Sequence, residues 1–103
     1  MHGNDAQMLV LTVLAESPRH GYAINTAIEA LTGHKLGPGS LYGALARLEA
    51  RGLVEPAGES AEASERYRTM QITEIGRETL RVELEQMARV SRAGLRALGI
   101  APA

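Results

Sequence analysis

His34-Lys35-Leu36-Gly37-Pro38-Gly39-Ser40-Leu41-Tyr42-Gly43-Ala44-Leu45-Ala46-Arg47-Leu48-Glu49-Ala50-Arg51-Gly52 is the stretch on which the fold turns. Proline suits the first turn of a helix, because the N–H it lacks would have no partner there. Pro38 therefore marks a start. Leu41, Leu45 and Leu48 follow at helical spacing and give the segment one apolar face. Gly52 closes it, since glycine accepts the left-handed conformation that ends many helices.

Two more helices are predicted upstream. The first starts at Asn4 or Asp5 and carries Leu9, Val10, Val13 and Leu14 on one face, ending at Glu16. Ser17-Pro18 stops it, because a residue before proline is pushed out of the helical region. The second begins near Gly21, carries Ile24, Ile28 and Leu31 at helical spacing, and stops at Gly33. Three short helices joined by tight Gly/Pro connections make a helix-turn-helix core.

Downstream, Leu53-Val54-Glu55-Pro56 is short and half apolar, and residues 66–72 alternate in polarity. They read as two strands of a hairpin, with the small and polar residues 57–65 as its tip. A hairpin directly after the third helix is a wing. Thr73 caps a fourth helix reaching about Leu98, with Glu74 favoured in its first turn; Gly99 and Pro102 end it. Ile75, Leu80, Leu84, Met87, Leu95 and Leu98 form its apolar stripe, broken by Ser91 and Gly94. The expected fold is mainly α with a small β-hairpin wing, a winged helix-turn-helix plus a C-terminal helix.

Composition narrows the function. One domain is all that 103 residues support. With 45% hydrophobic residues but three Tyr, no Phe and no Trp, the core is aliphatic. The absence of cysteine excludes disulfides, thiolate metal sites and a cysteine nucleophile. No glycine-rich phosphate loop with a following lysine is present, and no His–carboxylate set has a recognisable catalytic spacing. His2, His20 and His34 match no metal-ligand motif, so neither enzyme chemistry nor a cofactor is expected. No apolar run approaches the ~20 residues of a membrane span, and the N-terminus has no signal-peptide pattern. A cytoplasmic protein without membrane contact is the expectation.

The motifs His20-Gly21-Tyr22 and Pro38-Gly39-Ser40-Leu41-Tyr42, then Leu45, Leu48, Gly52 and Leu53, and finally Tyr67, Thr73 and Gly76, occur in an order that resembles the PadR family. The resemblance covers roughly residues 8 to 80. It implies a winged-helix repressor that binds double-stranded DNA and pairs through its C-terminal helix, here in the short form with one such helix. Residues 4–72 would bind DNA, 73–98 would form the homodimer, and 99–103 would be a tail. Some members sense flat drugs or phenolic compounds in a cavity at the dimer interface, so a small-molecule effector of unknown identity is implied. The aromatic that lines such cavities has no counterpart in a chain without Trp or Phe.

Charge is placed unevenly. The net charge is −1, with no basic surplus. Lys35, Arg47 and Arg51 against Glu49 nevertheless leave residues 34–52 at +2, while four Glu and two Arg leave residues 55–68 at −2. Glu59, Glu62 and Glu65 make the wing tip acidic, whereas wings in this family are often basic. DNA binding would rest on a local positive face that a dimer presents twice.

On their own, Pro38-Gly39-Ser40 read as a helix start and Tyr42 as core. With the resemblance they become contacts: Gly39 admits the DNA backbone, Ser40 offers a hydroxyl, helix-start N–H groups suit a phosphate, and Tyr42 donates its hydroxyl. The resemblance adds Tyr22. Lys35, Arg47, Arg66 and Arg68 are candidates for backbone contacts, which position a protein without reading sequence. His20 caps the second helix or contacts phosphate as a cation. A fourth helix of about 25 residues spans about 38 Å, more than one small domain covers. Leu80, Leu84, Met87, Ser91, Gly94, Leu95 and Leu98 are therefore assigned to the dimer interface. A winged-helix module that binds protein without specific DNA binding is the alternative, motivated by the acidic wing.

Overall fold

The computed structural model describes residues 3–58 and 68–100. His2, the acidic tip residues Glu59, Glu62 and Glu65, Arg66, Tyr67 and Pro102 lie outside the described residues. In chain order the elements are α1 (Gly3–Glu16), β1 (Arg19–His20), α2 (Gly21–Thr32), α3 (Pro38–Ala50), β2 (Val54–Pro56), β3 (Thr69–Ile72) and α4 (Glu74–Ala97). The fold is a mainly helical winged helix with a small antiparallel sheet.

The glycine and proline signals act where their chemistry requires. Pro38 occupies the first turn of α3. Gly33 ends α2 at φ 87°, and Gly52 takes φ 74° after α3. At these angles any side chain but glycine's meets backbone crowding.

The sheet has three strands, not the expected two, in the order β1-β3-β2. Arg19 pairs with Met70 and His20 with Thr69, while Val54, Glu55 and Pro56 pair with Ile72, Gln71 and Met70. A strand of two residues has no alternation to betray it. Its only signature is the partner strand some fifty positions along the chain. Edge position also accounts for Pro56, since a proline can leave a ladder bond unmade only at an edge.

Val10, Leu14, Ile24, Ile28, Leu48, Val54 and Met70 are the largest fully buried side chains, and the buried set of described residues contains no polar group. Leu41, Leu45 and Leu48 bring α3 into this core as its spacing requires. Two apolar positions of the helical stripes lie outside the core. Leu31 is 58% exposed, because the last turn of α2 overhangs an open groove between α1 and α2 instead of reaching α3. Ile75 is also exposed, since the first turns of α4 meet the core through Gly76 and Leu80.

Leu80 also corrects the sequence reading. Assigned there to the dimer stripe, it is 5% exposed and belongs to the subunit's own core. Beyond it no described residue of α4 is buried, so the helix leaves the body of the domain as an arm.

The base of α4 is fixed by several bonds around one residue. Gly76 N–H donates to Thr73 Oγ1 at 3.0 Å, the cap expected of threonine. The same hydroxyl donates to the Gly52 carbonyl at 2.7 Å, and Thr73 N–H donates to the Leu53 carbonyl at 3.0 Å. Thr73 thus starts the helix and joins it to the turn after α3.

Candidate nucleic-acid interface

The outward side of α3 is defined by what its buried side excludes. With Leu41, Ala44, Leu45 and Leu48 facing the core, the 100° step of the helix turns Gly39, Gly43, Ala46 and Ala50 outward. Tyr42 and Arg47 flank them. Pro38, Gly39, Ser40, Ala46 and Arg47 are all exposed.

Asn25 holds the approach to this helix in place. Its Nδ2 donates to the Leu36 carbonyl and its Oδ1 accepts the Leu36 N–H, each at 2.8 Å. One amide side chain therefore acts on the loop as a neighbouring strand would. Neither spacing nor composition singles out this residue, although it positions Lys35 and the start of α3.

Around that start, His20, Gly21, Tyr22, Asn25, Lys35, Pro38, Leu41 and Tyr42 line a recess of about 390 Å³. Lys35 Nζ stands 5.7 Å from the centroid of the Tyr22 ring, within reach of a cation–π attraction. His20 stacks on the same ring with centroids 6.5 Å apart. Tyr22 is 70% exposed, so its ring serves as a platform and not as core. Tyr42 is half-buried and lies on Gly21: a Cβ there would stand 2.7 Å from its hydroxyl oxygen. Gly21 is thus the contact that lets α2 and α3 close around this tyrosine.

His20 takes the capping role. Its Nδ1 accepts the Ala23 N–H at 3.4 Å at the N-terminus of α2. By contrast, α3 begins at Gly37 with no side-chain cap. The first-turn amides of a helix have no acceptors within the helix itself, and Ser40 and Lys35 stand beside these.

Arg68, expected to reach DNA, is engaged inward. Its Nη2 donates to Glu49 Oε1 at 2.9 Å, with the two side chains 25% and 38% exposed. The pair ties the residue that enters β3 to the last turns of α3. Arg68 Nε is buried without an acceptor among the described residues, beside a gap of about 40 Å³. That space is large enough for one water molecule. Glu49 is the only carboxylate of α3, and it is the one this arginine neutralises.

The α4 residues separate into two groups. Leu84, Met87, Ser91, Gly94 and Leu98 are exposed, and Leu95 is half-buried. A Cβ at Gly94 would meet nothing within 4 Å. On the opposite side Arg81 hydrogen-bonds both Glu78 and Glu85, and the bond to Arg81 holds the Glu78 carboxyl below its usual pKa. Among the described residues no group of three or more His, Asp or Glu could hold a metal, and no helix is long and apolar enough to cross a membrane.

Known proteins are similar to this chain. An uncharacterized 37.1 kDa protein in transposon TN4556 of Streptomyces fradiae is 59% identical over 91 residues, covering 88% of this chain. The chain spans only 25% of that protein's length. A PadR-like transcriptional regulator from Bacillus cereus shares the fold, with a TM-score of 0.75 at 21% identity over 89% of each chain. RosR of H. salinarum matches at 28% identity and a TM-score of 0.67, over 91% of this chain and 89% of its own. The sequence model of the PadR-like transcriptional regulator family matches residues 10–82. The chain therefore belongs to the PadR-like family of transcriptional regulators, which are not enzymes.

Proposed function

We propose that the protein is a homodimeric, sequence-specific DNA-binding repressor, with residues 4–72 contacting DNA and residues 73–98 pairing the subunits. The observation that carries this reading is the convergence of Lys35, Tyr22 and Tyr42 on the uncapped start of α3. An ammonium and two phenols in one recess beside a helix start are complementary to a phosphate oxygen. Two such helices in a dimer would enter successive major grooves about 34 Å apart.

Phosphate contact has a measurable signature. Binding to the DNA upstream of the protein's own gene, against a scrambled duplex, should weaken steeply between about 50 and 200 mM salt. Lys35→Ala should lower the slope of log affinity against log salt by about one per subunit engaged. Tyr42→Phe should cost affinity while keeping the ring on Gly21. Arg68→Gln should leave the slope unchanged, because that guanidinium neutralises Glu49 and meets no phosphate. A slope lowered by Arg68→Gln would return Arg68 to the DNA surface. Weak binding to either duplex that ignores salt would replace the whole reading with a protein-binding module.

Response to an effector belongs to the same proposal. Between α1 and α4, Gln7, Met8, Leu11, Arg51, Thr79 and Glu83 border a recess of about 210 Å³. This is small for a drug-sized ligand, and the α4 of a partner subunit would supply the further wall. Its mixed apolar and charged lining suits an amphipathic molecule. Such compounds should raise the melting temperature of the dimer. A flat response across hydrophobic drugs and phenolic acids would remove the effector from the reading.

A further inference from the structure

The outward side of α3 is unusually poor in groups that can read a base. Gly39, Gly43, Ala46 and Ala50 succeed one another at spacings of four, three and four, and none carries a hydrogen-bonding side chain. Base edges in the major groove are distinguished by donors and acceptors, or by the thymine methyl. A helix face of glycine and alanine supplies methyl contact and close approach, but no donor.

One side chain extends over that face. Arg47 is exposed, and its Nη1 lies 3.3 Å from the position a Cβ on Gly43 would take. The guanidinium thus folds back one turn along the helix onto the bare row. Among the described residues Arg47 has no ion pair. Arg51, one turn further on, donates to Gln7 Oε1 at 2.6 Å, and Arg68 is bonded to Glu49. Ser40 and Tyr42 stand at the first turn, beside the phosphate-binding recess. This leaves Arg47 as the fork-shaped donor in the middle of the face.

Resting on the DNA-binding reading above, we propose that Arg47 is the specificity-determining residue of α3, reading one guanine per recognition helix through its O6 and N7 acceptors. Arginine is matched to those two acceptors by geometry. A lysine has the charge without the fork. Gly43 is the enabling partner, since a larger side chain there would displace the guanidinium from the row. Ala46 and Ala50 leave their methyl groups facing the same groove, where the complementary base feature is a thymine methyl.

The test is selection of duplexes from a random-sequence pool by the wild-type protein, Arg47→Ala and Arg47→Lys. Wild type should enrich sites that share one guanine in each half-site. Both variants should select the remaining positions while losing that guanine. On the selected site, 7-deazaguanine at this position should weaken wild-type binding about tenfold, and the Arg47→Ala protein should not register the change. Arg47→Lys should keep the salt slope of wild type, which a phosphate contact retained by lysine would also predict, but only base reading predicts its lost preference.

If Arg47→Ala weakens every duplex alike, lowers the salt slope and keeps the guanine preference, Arg47 is a phosphate contact and the inference fails. Salt-sensitive wild-type binding that selects no sequence would also overturn it, while leaving DNA binding standing. Absence of any duplex binding would remove both.

Discussion

Replacing Gly76 with alanine is expected to destabilise the protein by about 3 kcal/mol, a fall in melting temperature of about 15 °C for a domain of this size. By helix propensity alone the same change should stabilise α4 by up to about 1 kcal/mol, so the sign is the test. A Cβ at Gly76 would stand 2.1 Å from the Leu53 carbonyl oxygen and 2.8 Å from Ile72 Cγ1. The first neighbour is backbone and is itself bonded to Thr73 N–H. It cannot move without opening the joint between α4 and the turn after α3. The φ of Gly76 is not positive, so the cost arises from space and not from backbone conformation. Thermal unfolding at fixed protein concentration is the measurement, because dimerisation would otherwise shift the midpoint. An alanine variant as stable as wild type would mean that α4 does not sit this close to Leu53.

The second large effect concerns assembly. Leu84→Asp combined with Met87→Asp should yield a folded monomer of 11.0 kDa that binds DNA at least ten times more weakly, because two linked half-sites are engaged with one effective concentration. Both side chains are already open to solvent within the subunit, at 41% and 52%. Charging them therefore costs the subunit little, whereas four buried carboxylates in a helix pair are strongly disfavoured. Val82→Asp is the control. Val82 is equally exposed but lies two residues from Leu84, on the opposite side of the helix, and should leave the dimer intact. Sedimentation of the double variant as a dimer would move the interface away from α4, with the open α1–α2 groove of about 650 Å³ as the next surface to mutate.

These two effects lie on one helix and differ in how much of each was legible. The apolar stripe of α4 is plain in the sequence, because a helical repeat needs only local spacing. Its division is not. Leu80 and Leu84 are one turn apart and chemically alike, yet the first is core and the second is arm. Nothing local distinguishes them. The difference is where the rest of the domain ends.

The proposed DNA face shows the same limit. Pro38, Gly39, Ser40 and Tyr42 are readable as a helix start and through family resemblance, and Lys35 joins Pro38 and Tyr42 in one recess. Arg68 was readable only as a cation near the wing. Its engagement with Glu49 spans nineteen positions, and Asn25 reaches Leu36 across eleven. Side-chain bonds of that range carry no periodic signal. Position alone leaves His20 open between cap and phosphate contact, and the Ala23 N–H bonded to its Nδ1 gives it the cap.

The helices, their ends and the class of fold follow from chemistry local to the chain. Proline and glycine act on their own backbone angles, and apolar spacing acts within a few turns. The third strand, the inward engagement of Arg68, the role of Gly76 and the point at which α4 leaves the core come instead from packing. Each of those depends on which distant segment comes to lie alongside, a choice made by the packing of the whole domain and not by any residue's neighbours in the chain.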